Sequence, residues 1–193
     1  ENNNKITRSA VYIGKDNAIV GDKALDASVT EPKKVAKHAK IKMEDEVVFS
    51  TKDGKWIDGK KGYTPSQVSS LVLKKLKDYT SGIKKVVITV PALFAEASRS
   101  ATLDAAKLAG LEAELINEPT AAVLHYANLP GVKLSGRVLV FDLGGGTFDI
   151  TIAKIKDKKV DVITSVGDKH LGGEDFDKEI IKIIEKKYKK AKG

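Results

Sequence analysis

Residues 138–152 read VLVFDLGGGTFDITI. Two apolar runs enclose three consecutive glycines, with Asp142 just before them and Asp149 just after. Glycine weakens a strand interior, and a carboxylate is costly to bury without partners, so an ordinary buried hairpin does not select this combination. FDITI, after the glycines, alternates as a strand does, which makes the unit strand–turn–strand. Glycine loops that open a helix are therefore excluded, and neither G-x-x-x-x-G-K-[ST] nor G-x-G-x-x-G occurs. A glycine turn permits positive backbone angles and close approach of bare N–H groups to a ligand. Successive N–H groups in such a turn form a nest for an anion. Two carboxylates beside it suit magnesium, which keeps several waters and uses few protein carboxylates. Thr147 adds a hydroxyl for a phosphate oxygen or a water. Asp142, Gly144, Gly145, Gly146, Thr147 and Asp149 thus read as a magnesium–nucleotide phosphate site.

Outward from this segment, strands and helices alternate. SAVYIG (9–14) and NAIVG (17–21) predict two short strands, 32–42 a helix opened by a proline, and EVVFSTKDGKWI (46–57) a hairpin turning at Asp53-Gly54. Thr64, Pro65 and Gln67 spell a helix start with a T-x-x-Q capping box, followed by an apolar face of Val68, Leu71, Val72, Leu76 and Tyr79. VVITV (86–90) is a continuous apolar run, the pattern of a strand buried on both faces. An alanine-rich helix (95–109) ends at Gly110. A short strand (111–116) follows, then a helix with Pro119 in its first turn, running to about Asn128. LPGVKLSG (129–136) reads as a linker. Beyond it come strands at 137–142, 147–155 and 159–166. A last helix follows His170–Gly173, with Phe176, Ile180, Ile184 and Tyr188 on one face. Such alternation predicts an α/β architecture.

Composition narrows the function classes. No apolar run approaches the roughly 18 residues of a membrane span, and the polar start ENNNKITRS has no signal-peptide core. The absence of cysteine excludes disulfides and thiol chemistry and fits a reducing, cytoplasmic setting. The net charge is +8, from 34 basic and 26 acidic residues. The lysines, however, cluster in KKLK, KKVV, KDKK and EKKYKK, which read as solvated faces and turns. Aromatics do not interleave with these runs, so nucleic-acid binding is not expected.

FDLGGGTFDITI (141–152) resembles the second phosphate-binding segment of the seventy-kilodalton heat-shock chaperone family. So, in order, do VVITVPALFAEASRSATLDAAKLAGL (86–111), LINEPTAA (115–122) and GDKHLGGEDFD (167–177) resemble other segments of that family. The resemblance covers nearly the whole chain and is weakest before residue 60. It implies an α/β, actin-like (ribonuclease H-like) ATPase fold binding ATP or ADP with magnesium. By resemblance, Glu118 reaches the magnesium waters and Asp142 and Asp149 belong to the metal shell. Gly145, Gly146 and Thr147 clamp the β/γ-phosphates, Gly172, Gly173 and Glu174 approach the nucleotide, and Pro91 relays nucleotide state between domains, with Arg99 on the same coupling surface. Lys40, in AKHAKIKMEDE, corresponds to the catalytic lysine, with Lys37 and Lys42 as alternatives.

The resemblance also implies water attack on the γ-phosphate, coupled to binding and release of unfolded polypeptide by a separate domain. J-domain and nucleotide-exchange partners belong to the same picture. Glu114 stands where the family usually has a basic residue and Leu103 where a lysine is common, so J-domain coupling does not carry over directly. Two other readings use the same residues: a sugar-kinase-like or filament-forming actin-fold relative, and a non-catalytic interaction module. Against the family pattern the sequence reads as a fragment, with 1–130 as lobe I lacking its first hairpin and 131–193 as the start of lobe II. Weak nucleotide binding without turnover is then expected. Unpaired sheet edges invite other strands, so the isolated chain is expected to self-associate or to depend on missing segments. A clean monomer by light scattering at high concentration would contradict that.

Overall fold

Helix and strand boundaries in the computed structural model, which describes residues 6–156 and 159–192, fall largely where the polar punctuation places them. Asp157 and Lys158 of the KDKK turn and the first five residues of the polar start lie outside the described residues. The chain divides into two compact units. One comprises the described residues up to Ile88 together with Phe94–Leu115; the other comprises Thr89–Leu93 and the described residues from Ile116 onward.

The first unit opens with strands β1 (Ala10–Ile13) and β2 (Ala18–Val20), then helix α1 (Asp22–Thr30) and strand β3 (Val35–Lys37). Both β2 and β3 pair antiparallel with β1, giving the order β2-β1-β3. The helix expected over 32–42 does not form. Two short 3-10 turns, Pro32–Lys34 and Ala39–Lys42, flank β3 instead. Pairing decides this: Val35 and Ala36 lie opposite Tyr12 and Val11 and are buried there, and the Trp56 indole donates to the Lys37 carbonyl at 2.8 Å. A tertiary ladder of this kind overrides weak helix propensity. His38, at φ 62°, closes the strand. Helix α1 has no side-chain cap at Gly21, which is why no start signal marks it.

The expected hairpin forms as β4 (Val47–Ser50) and β5 (Lys55–Asp58), with Gly54 at φ 74° in its turn. Val11, Ile13, Ala36, Phe49 and Val68 make one core cluster. Helix α2 (Pro65–Lys77) starts at the capping box: Gln67 N–H donates to Thr64 Oγ1 at 3.2 Å, and Thr64 N–H donates to Gln67 Oε1 at 2.9 Å. Its apolar face buries Val68 at one end, whereas Leu76 is 44% exposed and Tyr79 lies past the helix end. Strand β6 (Lys85–Val90) pairs with β7 (Glu112–Asn117). Val87 is 65% exposed, so β6 is not buried on both faces as its apolar run predicts. Between them, helix α3 (Glu96–Leu108) packs against α2 through small residues, with Ser98, Thr102, Ala105 and Ala106 buried. It ends at Gly110, φ 68°, where Gly110 N–H reaches the Lys107 carbonyl and Leu111 N–H that of Ala106, a Schellman pattern.

In the second unit, helix α4 (Glu118–Ala127) packs on strands β8 (Gly136–Leu143) and β10 (Lys159–Asp168), which flank β9 (Phe148–Lys156) in an antiparallel meander. Alternate residues of β9, from Asp149 to Ile155, are buried. Helix α5 (Gly173–Lys192) follows; Phe176, Ile180, Ile184 and Tyr188 share a stripe that is about half exposed. Among the described residues no helix is long and apolar enough to cross a membrane.

Thr64→Ala removes one half of the reciprocal cap and is expected to lower stability by about 1 kcal/mol, read by urea unfolding. Thr64→Ser should stay close to the parent. Equal losses in both variants would show that the hydroxyl is not what holds α2.

Candidate functional site

Strand register places the two aspartates. In β8 and β9, Asp142 lies directly opposite Asp149, and Leu143 opposite Phe148. Residues directly opposite in an antiparallel pair project from the same face, so both carboxylates share the face that carries buried Thr151 and Ala153. Asp149 is 5% exposed, with Oδ1 buried, while Asp142 is half-buried. Like charges directly opposite destabilise a ladder, and their all-oxygen pairing suits a hard cation that retains waters. Among the described residues no three acidic, imidazole or thiol side chains converge on a common metal position.

The turn between the strands is closed by Gly144 N–H donating to the Thr147 carbonyl at 2.9 Å. The expectation that these glycines supply positive backbone angles does not hold for Gly144 and Gly145, which lie outside the left-handed region. Their small size serves close approach instead. Gly173 N–H donates to the Gly144 carbonyl and Glu174 N–H to the Gly145 carbonyl, both at 2.9 Å. A Cβ on Gly172 would fall closer than 3.0 Å to backbone atoms of Gly145 and Gly146. The entry to α5 is thus pressed, backbone on backbone, against the glycine turn.

This contact orients the turn. In a planar trans peptide the C=O and the next N–H point in opposite directions. With the Gly144 and Gly145 carbonyls accepting from Gly173 and Glu174, the following N–H groups, of Gly145 and Gly146, are directed away from those two donors. Successive backbone N–H groups in a turn are the groups from which an anion-binding concavity is built. The residues beside them are Thr147, half-buried, and the Asp142–Asp149 pair on β8 and β9.

Sequence reasoning left Gly172 to Glu174 as a glycine entry to a helix apart from the family resemblance; their hydrogen bonds to the turn make them part of it. It assigned no role to Gly167 and no partner to Asp175. Gly167 faces Asp149 across β9–β10, and a Cβ there would collide with the Phe148 carbonyl. Gly172 N–H donates to Asp175 Oδ2 at 3.0 Å, and Asp175 N–H returns to the Gly172 carbonyl at 3.0 Å. Lys178 Nζ donates to Asp175 Oδ1 at 2.8 Å. Lys178 first, then the Gly172 N–H, with a smaller contribution from His170, holds the Asp175 carboxyl below its ordinary range. A lowered folded-state value favours the carboxylate, so this contribution is present above the ordinary Asp range and is lost as pH falls through the lowered value. The spacing G-x-x-D before a helix is the signal that could have found it.

Glu118 is the first residue of α4, half-buried and followed by buried Pro119. Pro91 is fully buried in the segment after β6. Both belong to the second unit, as do Asp142, Gly144–Thr147, Asp149 and Gly172–Glu174. Lys40 and Arg99 belong to the first. Lys40 is exposed on the 3-10 turn, so its expected helical setting is absent. Of the alternatives, Lys42 pairs with Asp45 at 2.9 Å, and Lys37 donates to Ser28 Oγ at 3.3 Å. Arg99 Nε donates to the Phe94 carbonyl at 3.1 Å.

The family described as Hsp70 protein matches residues 1–193. A chaperone protein DnaK of Thermotoga neapolitana is 42% identical over 98% of this chain and 32% of its own length. Those of Thermotoga petrophila and Thermotoga maritima are each 41% identical over the same shares. The chain therefore spans about a third of the length of the curated relatives it matches.

Gly172→Ala is expected to destabilise the chain by about 1–3 kcal/mol through overpacking. Gly173→Ala, whose Cβ would meet its nearest atoms at 3.9 Å, should cost less than about 1 kcal/mol. Urea unfolding of the two variants side by side reads the difference; equal costs would mean that the turn yields freely to α5.

Proposed function

The chain belongs to the Hsp70 protein family, with the actin-like ATPase fold which that family has, and on that premise we propose that residues 118–174 form the phosphate and metal side of an ATP site. The observation that carries the reading is the pairing of Asp142 with Asp149 across a glycine turn whose Gly144 and Gly145 carbonyls are taken by the entry to α5. In this reading the two amides and the Thr147 hydroxyl hold the β/γ-phosphates and orient a water. Asp142, Asp149 and Glu118 hold magnesium, largely through its waters. The ion, when bound, supplies positive charge against the negative charge developing on the phosphoryl oxygens. Lys40 is the candidate lysine for the same task, and Pro91 with Arg99 the relay toward another domain.

For the protein as a whole we propose a chaperone in which ATP hydrolysis governs binding and release of unfolded polypeptide. Nucleotide-exchange and J-domain proteins are its proposed partners, the latter with coupling altered by Glu114 and Leu103. We place the lobe boundary in the 129–136 linker, with 1–130 as lobe I and 131–193 as the start of lobe II, and the protein in the cytoplasm.

The residues proposed here to hold the nucleotide reach only its phosphates and metal. Binding of Mg-ATP by this chain is accordingly expected at a Kd on the order of millimolar, about 4 kcal/mol, without measurable turnover. Titration followed by amide NMR checks this: Gly145, Gly146 and Thr147 should shift saturably, and Asp149→Asn should abolish the magnesium-dependent part. Shifts confined to the lysine-rich end of α5 would instead mean non-specific attraction of a polyanion.

A further inference from the structure

We propose that Asp175 is a positioning residue for the glycine turn, acting through Gly172, a role that rests on the phosphate-site reading above. The geometry forms a chain of four contacts. Lys178 fixes one carboxylate oxygen of Asp175, and the other accepts the Gly172 N–H. Gly172, buried and without a side chain, lies against the backbone of Gly145 and Gly146. The next two N–H groups, of Gly173 and Glu174, take the Gly144 and Gly145 carbonyls. Because carbonyl direction sets the direction of the following amide, whatever fixes residues 172–174 also fixes the direction of the Gly145 and Gly146 amides.

An ordinary helix cap would stabilise α5 alone. Here the capped residue is the one in closest contact with a different loop, so the cap is transmitted. The reciprocal Asp175 N–H bond to the Gly172 carbonyl leaves residue 172 bonded through both of its peptide groups. Glycine is otherwise the residue most free to leave such a conformation. The Asp175 carboxylate therefore restricts the position at which small size is required and freedom is harmful. Asp175 itself touches neither phosphate nor metal in this arrangement.

The test uses the whole chain and three variants, Asp175→Ala, Asp175→Asn and Lys178→Met, read by amide exchange and by Mg-ADP titration in NMR. Asp175→Ala is expected to speed exchange of the Gly173 and Glu174 amides about tenfold while Thr151 and Ala153 in β9 keep their protection. Mg-ADP should bind about fivefold more weakly, the equivalent of one lost cap. Asp175→Asn retains an oxygen acceptor and should recover most of both effects, with Lys178→Met between the two. Parent-like exchange at Gly173 and Glu174 in Asp175→Ala would overturn the proposal. So would loss of protection spreading equally to Thr151 and Ala153, or an Asn variant no better than Ala. If the parent chain shows no Mg-ADP shifts at all, the nucleotide reading fails on its own, and the exchange data still decide whether Asp175 holds the turn.

Discussion

The register of β8 against β9 is the constraint from which the rest of the site follows. Side chains alternate between faces, so a slip of one residue would carry Asp149 to the opposite face and leave Asp142 facing an apolar neighbour. The present register is held by a short turn closed between Gly144 and Thr147 and by burial of alternate β9 residues. Each fixes the other. Burial of Thr151, Ala153 and Ile155 selects the inward face, and the turn length then leaves only one position for Asp142 opposite Asp149.

Glycine in this protein serves two distinct purposes. At Gly54 and Gly110 it supplies a backbone angle that other residues adopt at a cost, which the hairpin turn and the helix end require. At Gly167 and Gly172 the angle is ordinary and the need is for space: in both places a Cβ would strike main-chain atoms. The second use brings the entry of α5 into contact with the glycine turn. The N–H groups at the start of α5 are consumed by loop carbonyls, so the helix does not present them to an anion.

Much of this was legible in the sequence where the signals are local. The capping box at Thr64–Gln67, the helix end at Gly110, the Asp53-Gly54 turn and the three-strand meander depend on neighbours in the chain, and each formed as expected. The failures share a cause. Within 32–42, Val35–Lys37 were drawn into a strand by β1, whose partner residues lie 23 to 27 positions away, and β6 is exposed at Val87 despite an apolar run. In both cases the outcome was set by what lies beside the segment in space. The site shows the same division. Asp142, the glycines and Asp149 could be read because they are contiguous, whereas the contact of Gly172 with Gly145 joins residues 27 positions apart and has no periodicity to reveal it.

The paired aspartates are a local fault in an otherwise consistent design. A ladder gains from opposite or apolar cross-strand partners, and two carboxylates face to face forfeit a few tenths to about 1 kcal/mol. Burial of Asp149 adds a desolvation cost. Positions that break a local rule while their surroundings obey it are where function is expected. A cation that binds only the folded arrangement returns part of that cost, because it stabilises the native state in proportion to RT ln(1 + [L]/Kd). On the proposed metal reading, the same pair that weakens β8 and β9 couples the stability of the meander to the ion. Since the Gly144 and Gly145 carbonyls hold the entry to α5, a phosphate accepting from the amides that follow them would, on that reading, act on the same two peptide groups as the helix entry.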